Sequence, residues 1–158
     1  MNELTYNIQS GRLSGRVDGV AITASAGSGG RAGSKTAGAL NYWLANNPFA
    51  THVKLNNKLG SSGGPLPLGT YALALHESRP NWIRLNPTGK HFDLHGRAGF
   101  AIHGRGPRGS DGCIVPTDFT VVLALCKLVK ARADSGKPAI QLHVVAEGSD
   151  LERWLGMA

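Results

Sequence analysis

Cysteine is scarce in this chain, with two residues, Cys113 and Cys126, among 158. Two thiols are too few to staple a small secreted fold. Charge is also sparse. Asp, Glu, Lys and Arg make up 17% of the sequence, against about 25% in an average globular domain. Long apolar runs are missing. The longest, Val121 to Cys126, is six residues, whereas a helix needs about 20 to cross a bilayer, so no membrane span is expected. No internal repeat and no linker composition interrupts the sequence, so residues 1–158 read as a single domain with enough chain to bury its own core. The opening Met1-Asn2-Glu3-Leu4-Thr5-Tyr6 carries neither a basic nor an apolar signal region. The chain is therefore expected to be made in the cytoplasm without a signal peptide.

Glycine is abundant, with 22 residues and no G-X-Y period. That excludes collagen and points to many tight turns in a mainly β protein. The net charge is +7, and most of it is concentrated. Residues 79–109 carry Arg79, Arg84, Lys90, Arg97, Arg105 and Arg108 against one acid, Asp93. The expected partner is anionic: a nucleic acid, a cell wall or a carboxylate-bearing substrate. A nucleic acid is set aside because few aromatics interleave with these cations, only Trp82 and two phenylalanines.

Residues 3–24 alternate weakly and break at Ser10-Gly11, Ser14-Gly15 and Asp18-Gly19, as a meander of short strands does. A glycine-rich loop over 25–38 and a short helix over 37–46 follow. Strands are predicted at 70–75, 82–85, 91–95 and 100–103, separated by short turns and so paired antiparallel. Phe119, Val122, Cys126 and Val129, widened by Leu125 and Leu128, recur at helical spacing. They predict one long helix over 118–133, capped by Thr117 or Asp118. A strand over 139–145 and a helical turn over 150–155 complete the chain.

Three constellations could carry chemistry. The loop Gly27 to Thr36 resembles a phosphate loop, but Ser34 stands where that motif needs glycine before the lysine, and no βαβ unit follows. On a strand, His91, Asp93 and His95 would share a face and with His103 could ligate a metal. The run has no standard ligand spacing, and polar residues on an open sheet face explain it equally well. The third is the strongest. Phe100-Ala101-Ile102-His103 is an apolar strand ending in histidine. Ten residues after that histidine, past Gly104, Gly106, Gly109 and Gly112, comes Cys113. Extended, that connection would reach roughly 33 Å, but a loop so rich in glycine can fold back and bring the two side chains together. An imidazole beside a thiol takes its proton and stabilises the thiolate. Gly112 frees the adjacent backbone N–H groups to form an oxyanion hole, and a helix start close behind would add its dipole. Arg97, Arg105 and Arg108 suit a substrate carboxylate. Cys126, in the middle of an apolar helix face, reads as a buried hydrophobe.

These residues resemble the YkuD-type L,D-transpeptidases. In that family a strand histidine followed by glycine precedes an S-H-G-C-[IV]-R segment that holds the nucleophile. The counterparts are His103-Gly104 and Ser110-Asp111-Gly112-Cys113-Ile114, and Gly64-Pro65-Leu66-Pro67-Leu68-Gly69-Thr70-Tyr71 resembles the family's approach to a central strand. Asp111 stands in place of the usual histidine and Val115 in place of the usual arginine, and the His–Cys separation is short. Together with Asn46-Asn47-Pro48, these features are similar to the type VI secretion L,D-transpeptidase effector (Tlde) branch.

The resemblance implies a mainly β (α+β) fold. It would be an L,D-transpeptidase-like β-sandwich with one long helix after the cysteine and short additional helices. It implies catalysis by Cys113 and His103 with Ser110 and Gly112 in the same segment, substrate contacts from Arg97, Arg105, Arg108 and His95, and neither metal nor cofactor. The implied substrates are peptidoglycan tetrapeptide stems and free D-amino acids, handled by L,D-carboxypeptidase or exchange chemistry. The implied partners are a secretion machine and a periplasmic immunity protein, and the implied destination is the periplasm of a target bacterium. The alternative is a non-catalytic cell-wall or anion-binding module that keeps the fold.

Overall fold

A computed structural model describes residues 2–30, 46–53, 63–91, 94–104 and 112–147. Eight strands form in the order β1 (Glu3–Asn7), β2 (Arg12–Val17), β3 (Val20–Ser28), β4 (Gly69–Leu75), β5 (Ile83–His91), β6 (Ala101–Ile102), β7 (Ile114–Pro116) and β8 (Gln141–Val145). One helix, α1 (Phe119–Asp134), lies between β7 and β8, and a 3-10 turn spans Pro48–Ala50. No helix among the described residues is long and apolar enough to cross a membrane.

The fold is mainly β, as expected, but its strands close into a barrel in the order β1-β2-β3-β7-β6-β5-β4-β8. An open sandwich has free sheet edges, whereas here β3 and β5, which would be those edges, are joined through β7 and β6. Closure rests on very short strands: β6 meets β5 only at Ile83 and Arg84, and β7 only at Ile114. Pairing is mixed. The β4–β5 and β5–β6 pairs are antiparallel, as the short turns predict, but β1 runs parallel to β8 and β6 parallel to β7.

The N-terminal meander forms as three strands. Asp18-Gly19, with φ of 48° and 80°, is a two-residue hairpin turn between Val17 and Val20. Ser14-Gly15, expected to break the chain, instead runs through β2. A Cβ at Gly15 would fall 2.2 Å from the Glu3 carbonyl oxygen, so glycine is there for close strand packing. The strands predicted at 82–85 and 91–95 also differ from expectation. Ile83 to His91 is one strand, and Pro87-Thr88-Gly89 lies inside it opposite Tyr71 and Thr70. Proline is tolerated there because β6 pairs only with the first two residues of β5, leaving the N–H side of Pro87 outside that ladder.

The helix forms where its apolar stripe predicts. Asp118 caps it by accepting from the Thr120 N–H at 2.9 Å. Val122, Leu125 and Val129 are buried against β4 and β7 and join the core built from Leu4, Tyr6, Leu13, Tyr71, Leu85, Ile102 and Ile114. Each such side chain contributes about 1.5–3 kcal/mol by burial. Thr117 N–H donates to Ser25 O at 3.0 Å, and Arg132, near the other end of α1, donates to Asp18 Oδ1 at 2.7 Å. The helix thus packs on β4 and β7, with the residue before it tied to Ser25 of β3 and its last turn tied to the turn that precedes β3. The helices predicted at 37–46 and 150–155, and most of the glycine loop, lie outside the described residues.

Candidate functional site

The site is assembled where the barrel is thinnest. Ile102 of β6 is in parallel register with Ile114 of β7, and the His103 N–H donates to Ile114 O at 3.1 Å. Both isoleucines are fully buried. Side chains alternate along a strand, so His103, one residue after Ile102, and Cys113, one residue before Ile114, share the opposite, outer face. Two residues of rise across one strand spacing put their backbones on the order of 8 Å apart, a gap that an imidazole and a thiol can close. Both residues are partly exposed. The two residues singled out in the sequence thus flank the paired isoleucines, His103 after Ile102 and Cys113 before Ile114.

A strand intervenes between Cys113 and the helix. The sequence suggested that the start of α1 would lend its dipole to the thiol. Ile114–Pro116 and the cap at Asp118 stand between them along the chain, so Cys113 is not itself at the helix N-terminus.

On its other side His103 meets β5. Ile83 pairs with Ile102, so Trp82 stands directly across from His103. The two rings stack, with centroids 4.1 Å apart and planes at 11°. Trp82 also takes the Arg79 guanidinium over its ring at 4.4 Å and the edge of His76 at 5.9 Å. Burial, chiefly, holds His103 below the ordinary histidine value. The contact between Nδ1 and the Gly104 carbonyl, at 3.3 Å, works against this, and the charge of Arg79 reinforces it. With Nδ1–H directed at Gly104 O, Nε2 is the free base of the ring.

Two glycines are required by this packing. A Cβ on Gly104 would fall 2.1 Å from the Phe119 ring, so the ring at the head of α1 presses directly on the residue after His103. Gly112 has φ of +128°, and a Cβ there would fall 2.4 Å from Arg97 Nη2.

Arg97 does not face outward. It is 7% exposed, and its guanidinium donates to the carbonyls of Thr51, Pro65 (2.7 Å) and Gly64 (2.8 Å). Those bonds commit it to fastening the 63–68 segment beneath Gly112, where the sequence suggested a substrate contact. Ser28, 1% exposed, extends the same knot: its hydroxyl accepts from Leu66 N–H at 2.9 Å and lies 3.5 Å from Gly112 O. His95 sits in a turn with φ of 55°, its ring edge-on to His52 at 6.1 Å. It is not on a strand, which a face shared with His91 and Asp93 would require. The side chain of His91 and all of Asp93 lie outside the described residues, as do Arg105, Arg108, Ser110 and Asp111. Among the described residues no group of three or more His, Cys, Asp or Glu could hold a metal.

Sequence reasoning passed over Trp82, Arg79 and Ser28. For Trp82 a signal was present. Pairing the predicted strand 82–85 antiparallel with 100–103 puts its first residue against the last of the other, which is His103. The chain matches no protein-family model, no curated protein and no solved structure.

Proposed function

We propose that this protein is a cysteine-dependent peptidoglycan-modifying enzyme of the L,D-transpeptidase kind, acting on tetrapeptide stems by L,D-carboxypeptidase or D-amino-acid exchange chemistry. One observation carries the reading: the parallel register of Ile102 with Ile114, the chain neighbours of His103 and Cys113. In this scheme His103 Nε2 takes the Cys113 proton, and the thiolate attacks the carbonyl carbon on the L-centre of the diamino acid. The tetrahedral oxyanion forms beside the backbone N–H groups at Gly112 and Cys113. The C–N bond to the terminal D-alanine then breaks, its amine leaving with the proton from His103. Water, activated by the same imidazole, hydrolyses the thioester; a free D-amino acid does the same by aminolysis. The Gly104 carbonyl, facing Nδ1, orients the ring, as a backbone carbonyl does in the family that the motifs resemble. In this reading the barrel is the L,D-transpeptidase sandwich with its two edges tied together by β6 and β7.

The similarity to the effector branch extends the proposal to delivery by a type VI machine into a target periplasm, with a cognate immunity protein. The net charge of +7 suits an anionic wall and stem carboxylates. The test is D-alanine release from purified disaccharide-tetrapeptide. Wild type should release D-alanine, the pentapeptide should be a poor substrate, and Cys113→Ala should be inactive. Full activity in Cys113→Ala would overturn the thiol mechanism. An inactive wild type with a slowly alkylated Cys113 would leave the anion-binding module. Directed to a bacterial periplasm, wild type should arrest growth and Cys113→Ala should not.

A further inference from the structure

The cations around this site differ in what already occupies them. Arg84 is paired with Glu77 and Arg97 with buried carbonyls. Arg79 is exposed and, among the described residues, has no carboxylate partner. Its guanidinium rests over Trp82, the indole on which His103 stacks. A guanidinium held flat on an aromatic face keeps its N–H edges free for an anion. Trp82 therefore holds a bidentate carboxylate donor on the same indole that stacks with the imidazole. Arg79 belongs to the 76–82 connection between β4 and β5, closed by the bond from His76 N–H to Trp82 O at 3.0 Å, so it is presented from a tied turn.

From this we infer that Arg79 is the carboxylate-receiving residue of the site, with Trp82 as its support. Resting on the reading of Cys113 as nucleophile, the proposal gives the anion-recognition role to a residue outside the 97–108 cluster. The charge effect of Arg79 on His103 agrees with its placement within reach of the reacting groups.

The experiment compares alkylation of Cys113 by iodoacetate and by iodoacetamide. Both reagents consume the same thiolate, so the ratio of their rates cancels the thiol pKa and reports attraction for a carboxylate. In wild type that ratio should exceed the ratio for a neutral model thiol such as N-acetylcysteine amide by about fivefold, and should fall as salt is raised. Arg79→Ala should bring it down to the model value, Arg79→Lys should keep most of it, and Arg79→Glu should take it below. Arg16→Ala, on the distant β2–β3 hairpin, should leave it unchanged. A wild-type ratio equal to that of the model thiol overturns the inference. So does a ratio that survives Arg79→Ala but collapses in Arg105→Ala or Arg108→Ala. These rates are read without any peptidoglycan substrate, so a missing D-alanine release would count against the proposed reaction and not against the anion site. Where release is seen, Arg79→Ala should raise KM more than it lowers kcat.

Discussion

Trp82 and His103 lie face to face, one just before β5 and one just after β6, with their ring centroids 4.1 Å apart. The stack does two things at once. It fixes the plane of the imidazole, so that Nδ1 faces the Gly104 carbonyl. It also shields the ring from water and so keeps it neutral below the pH at which a free histidine charges.

A pH dependence with a definite sign follows. The unfolded chain takes up a proton on His103 near the ordinary value of about 6.5, while the folded chain resists it to lower pH. The stability linked to this group is whole above about pH 6.5 and is lost as the pH falls through the lower folded value. In urea titrations between neutral and acidic pH, His103→Gln should flatten part of this decline. In activity, the acid limb of kcat/KM should lie below 6.5 in wild type and move upward in Trp82→Ala, with Trp82→Phe close to wild type. An acid limb unmoved by Trp82→Ala would show that the stack does not shield the base.

Arg97 is predicted to act on folding. Its removal leaves the buried carbonyls of Gly64 and Pro65, and that of Thr51, without this donor. Each orphaned acceptor costs about 1 kcal/mol or more, so Arg97→Met should lose at least about 3 kcal/mol. The measurement is the urea midpoint with the slope unchanged. A variant that keeps its midpoint and shows only a raised KM would return Arg97 to the substrate.

Much of this was legible in the sequence, and for stateable reasons. The helix was readable because Val122, Leu125 and Val129 repeat at its period and Asp118 can cap it. The candidate pair could be singled out because a histidine closing an apolar strand and a cysteine after a glycine-rich stretch need no long-range information. Barrel closure was not readable: β6 and β7 have two and three residues, too few to show a period. The parallel β1–β8 pair joins residues 3–7 to 141–145, and no local pattern encodes such a partner. The carbonyl bonds of Arg97 were not legible for a related reason. Composition counts a charge but cannot tell a guanidinium facing solvent from one bonded to carbonyls more than thirty residues away.

The contact between Gly104 and Phe119 should be sensitive to a single methyl group. A Cβ at 104 collides with the aromatic ring, so Gly104→Ala must displace either α1 or the backbone after His103. The expected cost is about 1–3 kcal/mol, with kcat reduced because the Gly104 carbonyl is the contact of Nδ1. Phe119→Leu should restore part of both losses in the double variant. Independent, additive effects in thermal melts and D-alanine release would contradict the proposed coupling.

The two thiols should separate by reactivity. Cys126 is partly buried on α1, and burial pushes its thiol up, so little thiolate is present at neutral pH. Mass spectrometry after brief iodoacetamide treatment should find the label on Cys113. Cys126→Ser should keep activity and lose a modest amount of stability, since a hydroxyl enters a largely apolar helix face. Preferential labelling of Cys126 would reverse the assignment of the nucleophile.

The most searching prediction concerns Cys113 and His103 as a pair. If the imidazole serves only to take the thiol proton and return it to the leaving amine, neither residue has a catalytic use without the other. Cys113→Ala abolishes the thioester route. His103→Ala removes the group that takes the thiol proton and leaves nothing to protonate the departing amine, so it should lose nearly as much. The double variant should then be scarcely worse than either single one, a strongly non-additive cycle. The His103→Ala rate should rise with pH as thiolate accumulates, and it should recover in part with added imidazole, which can reach a partly exposed cavity of that shape. Additive losses in the cycle, or a His103→Ala rate insensitive both to pH and to imidazole, would mean that the parallel register brings these residues together without joining them in one reaction.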